Sequence, residues 1–151
     1  FTQNIEKFFT GRSGVWAAFQ PLADEPPLLP ALPKIPDIEW CFPKIKKDQL
    51  EFYSSEKFVA HPWGINEPVG DEPVPLDKLD GFLVPGIAFT RKGQRLGRGR
   101  GFYDRALATT KACRVGVCYS FQVTDDLGEA EDHDVKMNYL ITENSLVECR
   151  L

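Results

Sequence analysis

Proline placement constrains this chain more than any other feature of its sequence. All twelve prolines of the 151-residue chain lie at or before Pro85. Proline fixes φ, lacks a backbone N–H and breaks or kinks the interior of a helix. The first half of the chain must therefore fold as short elements, whereas the second half is free to form regular ones. Six prolines fall within residues 21–36, so a helix there can only be short, with proline near its first turn.

Short apolar runs predict the strands of the fold. The runs are GVWAAF (14–19), IEWCFPKI (38–45), LEFYS (50–54), LDGFLVPGIAF (79–89), CRVGVCYSF (113–121), NYLIT (138–142) and SLVECRL (145–151). The last two are expected to pair as a hairpin through Glu143-Asn144. Residues 61–75 show no periodicity and are predicted to form a loop.

Two segments are predicted to be helical. The opening FTQNIEKFF places Ile5, Phe8 and Phe9 on one side of a helix. The stretch FYDRALATTKA (102–112) suits a helix that begins directly after Gly101. Because continuous apolar strands alternate with helical segments, we predict an α/β fold with a sheet covered on both faces.

Composition and length fit a single globular domain over residues 1–151. Hydrophobic content is 42% and charged content is 26%, and no apolar run approaches the length of a membrane span. The first residues have no basic region leading into an apolar stretch, so they do not resemble a secretory signal. They also lack an initiator Met, and we expect the natural N-terminus to lie upstream. A net charge of −4 argues against a nucleic-acid partner.

The cysteines indicate a reduced protein. Cys41, Cys113, Cys118 and Cys149 form no CxxC pair, and the chain has only two histidines, so no zinc site is expected. Cys113 and Cys118 lie in an apolar run and are predicted to be buried thiols, and we expect a cytoplasmic location without a membrane partner.

Residues 93–105, GQRLGRGRGFYDR, are the strongest functional motif. Glycines let the backbone approach a phosphate, and the interleaved Arg95, Arg98 and Arg100 supply charged forks for its oxygens. A helix N-terminus would add unpaired N–H groups. The stretch therefore predicts a polyphosphate-binding loop, although it matches neither the P-loop nor GxGxxG. The alternatives are a solvated RG-rich turn and an RNA contact, which would normally need repeats.

Carboxylates next to this loop predict a magnesium site. Mg²⁺ typically takes one or two carboxylates plus phosphate oxygens, and Asp104 directly follows the loop. Asp104 could instead be an ordinary partner of the helix dipole. A downstream acidic segment offers candidates for a second ligand, among which spacing does not select: Asp125, Asp126, Glu129, Glu131, Asp132 and Asp134.

Four further residues are weaker candidates for ligand binding. Glu25 follows a predicted strand and is expected at the carboxyl edge of the sheet, where ligands of α/β proteins bind. Trp63 and Tyr103 could stack on a flat heterocycle, but aromatic side chains more often serve packing. Glu67 could be either an ordinary loop acid or a residue of the site.

The stretch LVPGIAFTRKGQRLGRGRGFYDR resembles the signature of the 5-formyltetrahydrofolate cyclo-ligase family, also called methenyltetrahydrofolate synthetases. FQPLADE, WGINEP and HDVKMN agree with that family in order, over about residues 13–142. The resemblance implies a three-layer α/β/α Rossmann-like sandwich with a mainly parallel, mixed-edge sheet. It also implies ATP- and Mg²⁺-dependent conversion of 5-formyltetrahydrofolate to 5,10-methenyltetrahydrofolate. A non-catalytic nucleotide- or anion-binding module of the same fold is the alternative.

The resemblance also implies the site residues. The ATP-binding stretch falls on Arg95, Leu96, Gly97, Arg98, Gly99, Arg100, Gly101, Phe102 and Tyr103. The folate-binding positions fall on Gln20, Glu25, Arg98, Gly99, Arg100, Gly101 and Phe102. The magnesium aspartates match Asp104 and Asp134, and Arg98 and Tyr103 are the predicted catalytic residues. The partners would be two small molecules, a reduced formyl-folate and ATP, and we expect a monomer.

The sequence departs from the family pattern in three places. The family begins with a helix whose Lys and Arg reach the ATP phosphates, and we expect that this chain lacks that helix. ATP binding is then expected to be weak, or turnover slow. Arg100 stands where Lys is common, and residues 21–36 resemble a compressed form of a family helix.

Overall fold

The computed structural model describes residues 1–54, 56–60, 66–70, 72–129, 131 and 134–150. The elements of this part of the chain are α1 (Thr2–Phe9), β1 (Gly14–Ala17), β2 (Ile38–Lys46), β3 (Gln49–Tyr53), β4 (Phe58–Ala60), β5 (Asn66–Pro68), β6 (Gly81–Val84), β7 (Ala88–Thr90), β8 (Arg95–Leu96), α2 (Phe102–Leu107), β9 (Cys113–Val117), β10 (Val123–Thr124), β11 (Tyr139–Ile141) and β12 (Leu146–Glu148). Short 3₁₀ helices cover Leu29–Lys34, Leu76–Lys78 and Ser120–Gln122.

The main sheet has the strand order β12-β11-β9-β6-β1-β2-β3. Neighbours from β11 to β2 pair in parallel, and β12 and β3 close the two sides by antiparallel pairing. The predicted α/β class with a mainly parallel, mixed-edge sheet is confirmed. The predicted closing hairpin is confirmed as well, because β11 and β12 pair antiparallel.

Both faces of the main sheet are buried, each against its own set of apolar side chains. On one face, Trp16 and Leu83 pack with Ile5, Phe8 and Phe9 of α1, as the helical pattern predicts. On the other face, Phe82 packs with residues of α2 and of a small sheet ordered β10-β7-β8. The covering layers therefore consist of α1 with the 3₁₀ helix Leu29–Lys34 on one side, and of α2 with the small sheet on the other.

The predicted contrast between a first half of short elements and a more regular second half is wrong, because the longest helix and the longest strand of the described residues, α1 with eight residues and β2 with nine, both lie in the first half. Proline limits the elements locally instead. The 21–36 segment contains one short 3₁₀ helix, Leu29–Lys34, with proline in its first turn. The apolar run 79–89 divides into β6 and β7 where Pro85 and Gly86 interrupt it.

Three predicted boundaries are wrong. The helix predicted over 102–112 ends at Leu107, because the Thr109 hydroxyl donates to the Ala106 carbonyl and the Thr110 hydroxyl accepts from the Ala112 N–H, which competes with helical bonding. The strand predicted over 113–121 ends at Val117 and leads into the 3₁₀ helix Ser120–Gln122.

The third wrong boundary lies in the loop predicted over 61–75. Within its described part, β5 pairs antiparallel with β4, and Leu76–Lys78 follows as a 3₁₀ helix. Val74 also bridges to Phe52 of β3.

The buried thiol predicted for Cys118 is confirmed, whereas Cys113 is partly exposed; Cys41 and Cys149 are buried as well. Burial raises the pKa of the Cys41 thiol to about 12, so this cysteine is a packing residue rather than a nucleophile. In the described part of the chain, no helix has the length and apolar character needed to cross a membrane.

Candidate active site

A cavity of about 740 Å³ opens at the carboxyl edge of the parallel strands. Phe19 and Gln20, which follow β1, and Pro85 and Gly86, which follow β6, form part of its wall. Carboxyl ends of parallel strands meet at one edge of a sheet, and this edge is where α/β folds bind ligands.

The cavity brings together all the site residues that the family resemblance implied, whereas Asp125 and Asp126, two of the acids considered as metal ligands, do not line it. Its lining includes Gln20, Glu25, all residues from Arg95 to Asp104, and Asp134. Glu67, which the sequence left ambiguous, also lines it, whereas Trp63 lies outside the described residues. Segments far apart in the chain thus converge on one chamber, although the role of each residue stays a prediction.

The glycine-arginine motif begins as a hairpin, which the sequence pattern did not predict. Arg95 and Leu96 form β8, which pairs antiparallel with β7, and the loop proper runs over 97–101. Gly101 directly precedes α2 and has a φ of +69°. Residues with a side chain rarely adopt this left-handed backbone conformation, so glycine suits the position. Because α2 has only six residues, the positive charge of this site comes mainly from arginine side chains.

Arg95 lies beneath the loop rather than on its surface. Its side chain is 7% exposed, and its Nε donates to the Pro85 carbonyl at 2.7 Å. Its guanidinium lies over the Tyr103 ring and 3.7 Å from Asp104 Oδ1. A Cβ at Gly97 would come within 3.0 Å of both terminal nitrogens of Arg95, so glycine permits this close packing.

Burial and charge oppose each other at Arg95 and Tyr103. Burial lowers the pKa of the Arg95 guanidinium, and the Asp104 carboxylate counters this shift, so the group stays cationic. Burial raises the pKa of the Tyr103 phenol well above its usual value. Tyr103 therefore keeps its proton near neutral pH, and it lines the cavity.

Arg98 connects the glycine-arginine loop to the 21–36 segment. Its Nη2 lies 3.1 Å from Asp24 Oδ1, 3.3 Å from Asp24 Oδ2 and 3.7 Å from Glu25 Oε2. Asp24 was not a predicted site residue. Its adjacency to Glu25 in the sequence was the one signal that could have indicated it.

Glu25 is a buried carboxylate with a fixed orientation. The Leu22 N–H donates to Glu25 Oε1 at 2.7 Å, and the side chain is 7% exposed. Desolvation raises the pKa of the Glu25 carboxyl, while the Leu22 N–H and Arg98 act in the opposite direction. A buried carboxylate beside an apolar wall is suited to accept hydrogen bonds from a ligand.

The raised pKa of Glu25 predicts a pH-dependent stability effect. The folded state holds the Glu25 proton more tightly than the unfolded state, so stability falls as pH rises from the unfolded to the folded pKa. Glu25→Gln removes this loss while its amide oxygen can still accept from the Leu22 N–H. In urea unfolding, we expect the variant to gain stability relative to the parent as the pH rises above about 4.5, the ordinary pKa of this carboxyl. An exposed control, Glu72→Gln, should show no such trend, and a flat difference for Glu25→Gln would contradict the expectation.

The carboxylates of the cavity fit a magnesium ion that is completed by ligand oxygens. Asp104 is 18% exposed on its side chain, Asp134 is exposed, and Glu129 and Glu131 line the same cavity. Among the described residues, no three acidic, histidine or cysteine side chains cluster as a ready-made metal cage. Mg²⁺ typically takes one or two carboxylates plus substrate phosphate oxygens and waters, so this donor set is suitable for it.

The acidic segment is held to the hairpin by backbone and side-chain bonds. Gln94 Nε2 donates to the Gly128 carbonyl at 3.0 Å, and the Met137 N–H donates to the Gly93 carbonyl at 2.8 Å. Asp134 Oδ2 accepts from the Glu131 N–H at 2.8 Å. Sequence patterns gave no indication of Gln94, which anchors the segment bearing Asp134 next to the glycine-arginine loop.

Apolar side chains form another part of the cavity wall. They are Phe19, Leu22, Pro43, Ile45 and Leu50. Glu67 lies buried in this cavity and accepts from the Ile45 N–H at 2.8 Å, so it ties the β4–β5 hairpin to β2. An apolar surface with a few fixed polar groups is typical of a site for a flat organic ligand.

Residues 32–143 match the model of the 5-formyltetrahydrofolate cyclo-ligase family, which covers most of the chain. This chain belongs to that family. The residues matched include β6, the glycine-arginine loop, α2 and Asp134, and thus most of the cavity described above.

Relatives named 5-formyltetrahydrofolate cyclo-ligase occur in several bacteria. The protein of Mycolicibacterium smegmatis is 38% identical over 98 residues, which cover 60% of this chain and 48% of that protein. The protein of Escherichia coli is 33% identical over 104 residues, covering 66% of this chain and 57% of that protein. The chain therefore aligns with about half the length of these two cyclo-ligases.

The fold of a solved family member agrees with this one. The structure of 5,10-methenyltetrahydrofolate synthetase from Aquifex aeolicus superimposes with a TM-score of 0.82 at 31% sequence identity. The superposition covers 99% of this chain and 81% of that one. The cyclo-ligase fold is thus present from α1 to β12.

Proposed function

We propose that this protein is an ATP-dependent 5-formyltetrahydrofolate cyclo-ligase. It would convert 5-formyltetrahydrofolate to 5,10-methenyltetrahydrofolate with release of ADP and phosphate. The observation that carries the proposal is the single cavity in which the glycine-arginine loop, the Glu25 carboxylate, an apolar wall and the Asp104 and Asp134 carboxylates meet. Membership of the cyclo-ligase family supports it.

The two substrates would use different parts of the cavity wall. The folate ring would contact the apolar residues, with Gln20 and Glu25 as hydrogen-bonding partners and part of the loop against it. The ATP phosphates would lie along residues 95–103, where glycines admit the backbone and arginines neutralise charge. This arrangement would bring the formyl group and the γ-phosphate together, which removes much of the entropic barrier of a two-substrate reaction.

The formyl oxygen is a poor leaving group, and phosphorylation would allow it to leave as phosphate. The formyl oxygen would attack the γ-phosphorus, the bond from phosphorus to the β–γ bridging oxygen would break, and ADP would leave. N10 of the folate would then attack the formyl carbon and lose its proton. Phosphate would depart with the former formyl oxygen as the five-membered ring closes.

The protein's contribution is mainly positioning and charge stabilisation, as in other phosphoryl transfers. Arg98 would neutralise charge that develops on the transferred phosphoryl group. Tyr103, held in its protonated form, would donate a hydrogen bond within the cavity. Asp104 and Asp134 would hold Mg²⁺, which supplies further neutralisation of phosphate charge.

Product formation tests the proposal directly. The protein is incubated with ATP, Mg²⁺ and 5-formyltetrahydrofolate, and the absorbance of the methenyl product is followed over time. We expect product whose formation depends on both ATP and Mg²⁺. ATP binding without any product would favour the non-catalytic nucleotide-binding module instead.

Arg98→Ala is expected to weaken ATP binding by roughly 10-fold or more. A hydrogen bond to a charged group contributes about 1.5–3 kcal/mol, and a factor of ten corresponds to about 1.4 kcal/mol. The dissociation constant is measured by calorimetry with a non-hydrolysable ATP analogue. Arg91→Ala, on the exposed turn of the same hairpin, is the matched control and should bind ATP normally. Equal affinity of Arg98→Ala and its parent would favour the solvated-turn interpretation.

We propose that the protein acts as a monomer in the cytoplasm, on small molecules and without nucleic-acid or membrane partners. Gel filtration at several protein concentrations would test the monomeric state.

A further inference from the structure

We propose that Asp24 is an internal anion that competes with substrate phosphate for Arg98 and thereby sets the anion affinity of the cavity. Asp24 would be a positioning residue, because it acts on the ligand only through Arg98. The inference rests on the proposed function only in taking the competing ligand to be a polyphosphate.

The contact geometry identifies Arg98 as a shared group. A single terminal nitrogen, Nη2, lies within 3.3 Å of both carboxylate oxygens of Asp24 and 3.7 Å from Glu25 Oε2. Asp24 and Arg98 are separated by 74 positions in the chain, so the pair joins two loops at the cavity. A phosphate that binds at the glycine-arginine loop requires the same guanidinium.

The two carboxylates that contact Arg98 differ in burial. The Asp24 side chain is 71% exposed, whereas the Glu25 side chain is 7% exposed. Releasing Asp24 into water costs little, because an exposed carboxylate is well hydrated without a partner. Separating Arg98 from Glu25 would leave a buried carboxylate without its cation. Arg98 would therefore exchange Asp24 for phosphate while it keeps its contact with Glu25.

The size of the effect follows from the exposure of the pair. Exposed ion pairs contribute about 0.2–1 kcal/mol, which corresponds to a factor between about 1.4 and 5 in a binding constant. Removing the Asp24 charge should strengthen anion binding by a factor in this range. The direction is informative, since loss of a merely structural contact would leave the affinity equal or lower.

The experiment measures binding of inorganic tripolyphosphate, without Mg²⁺, by calorimetry at low ionic strength. Four proteins form a double-mutant cycle: the parent chain, Asp24→Asn, Arg98→Ala and the double variant. We expect Asp24→Asn to bind about 1.4- to 5-fold more tightly than the parent. In the Arg98→Ala background, Asp24→Asn should not change the affinity for tripolyphosphate, because the guanidinium for which Asp24 competes is absent.

Two control variants separate the exchange from general electrostatics and from folding. Asp24→Glu keeps the charge and should bind like the parent. Asp77→Asn makes the same charge change in the 3₁₀ helix before β6, away from the carboxyl edge of the sheet, and should not strengthen binding. Thermal unfolding of each variant checks that the fold is intact.

The inference is overturned if Asp24→Asn binds tripolyphosphate no more tightly than the parent. Equal strengthening in the Arg98→Ala background, or in Asp77→Asn, would overturn it too, because long-range charge would then explain the effect. Absence of tripolyphosphate binding by the parent would also overturn it. The enzyme assay could also fail while the double-mutant cycle gives the expected affinities. That outcome would reject the proposed reaction and leave this inference standing.

Discussion

Asp104→Asn is expected to lower kcat/KM for Mg²⁺-dependent cyclisation by roughly 10²-fold or more. Charge stabilisation by a bound metal contributes several kcal/mol to a phosphoryl-transfer transition state, and each 1.36 kcal/mol is about a factor of ten in rate. Asparagine keeps the size of the side chain and one oxygen but removes the charge that a divalent cation requires. The measurement is the rate of methenyl product formation as Mg²⁺ is titrated.

The Asp104 substitution also has a structural effect that must be separated from the catalytic one. Asp104 Oδ1 lies 3.7 Å from Nη1 of the buried Arg95, so the variant leaves that cation without this partner. Thermal unfolding should therefore show a lower midpoint but a cooperative transition. Asp125→Asn is the matched control, because Asp125 is an exposed acid outside the cavity lining. Full activity of Asp104→Asn at ordinary Mg²⁺ would show that Asp104 is not a metal ligand.

Phe82→Ala is expected to lower the free energy of unfolding by about 3–5 kcal/mol. Phe82 is fully buried in β6, at the centre of the main sheet, and its ring meets Phe52 edge-on at 5.4 Å between centroids. Removing the ring leaves a cavity between the sheet and the layer formed by α2 and the small sheet. A domain of this size is typically stable by about 5–15 kcal/mol, so a large share of the total is lost.

Urea unfolding at neutral pH measures this effect. Phe121→Ala is the control, because Phe121 is 81% exposed and should change the free energy of unfolding by about 0.5 kcal/mol or less. If Phe82→Ala lowered the free energy of unfolding no more than Phe121→Ala does, the apolar side chains between the main sheet and the layer of α2 and the small sheet would not be closely packed.

The strands could be predicted because burial on both faces leaves a clear signal in the sequence. Runs such as GVWAAF and CRVGVCYSF contain β1 and β9, which lie inside the parallel part of the sheet and are covered by a layer on each face, so that apolar residues follow one another along the strand. The helix α1 could be predicted because Ile5, Phe8 and Phe9 follow helical spacing and are all buried. Packing against neighbouring layers specifies these elements, and the spacing of apolar residues in the sequence reflects that packing.

The elements that were missed are specified by pairing and by local side-chain bonds. Strand β5 reads Asn-Glu-Pro, which has no strand character of its own and forms through pairing with β4. Strand β8 has two residues and forms because the β7 hairpin turns back on itself. The early end of α2 depends on threonine hydroxyl bonds that residue preferences do not capture.

The residues that line the cavity could largely be predicted from the sequence, but their arrangement could not. Glycines, arginines and a following aspartate indicate phosphate and metal, and the cavity does gather them. Spacing did not separate Asp134 from five other acids, and only the family resemblance selected it. The burial of Arg95 and the pairing of Arg98 with Asp24 could not be predicted, because both depend on how distant segments meet.

The order of strands in the main sheet bears on how the protein can form as it is synthesised. β1 is made first, and β2 and then β3 can add on one side of it; β6, β9, β11 and β12 can add in turn on the other. Each new strand pairs at an edge that already exists, and no strand has to insert between two that are already paired. During synthesis the sheet can therefore grow outward strand by strand without breaking pairs that have already formed.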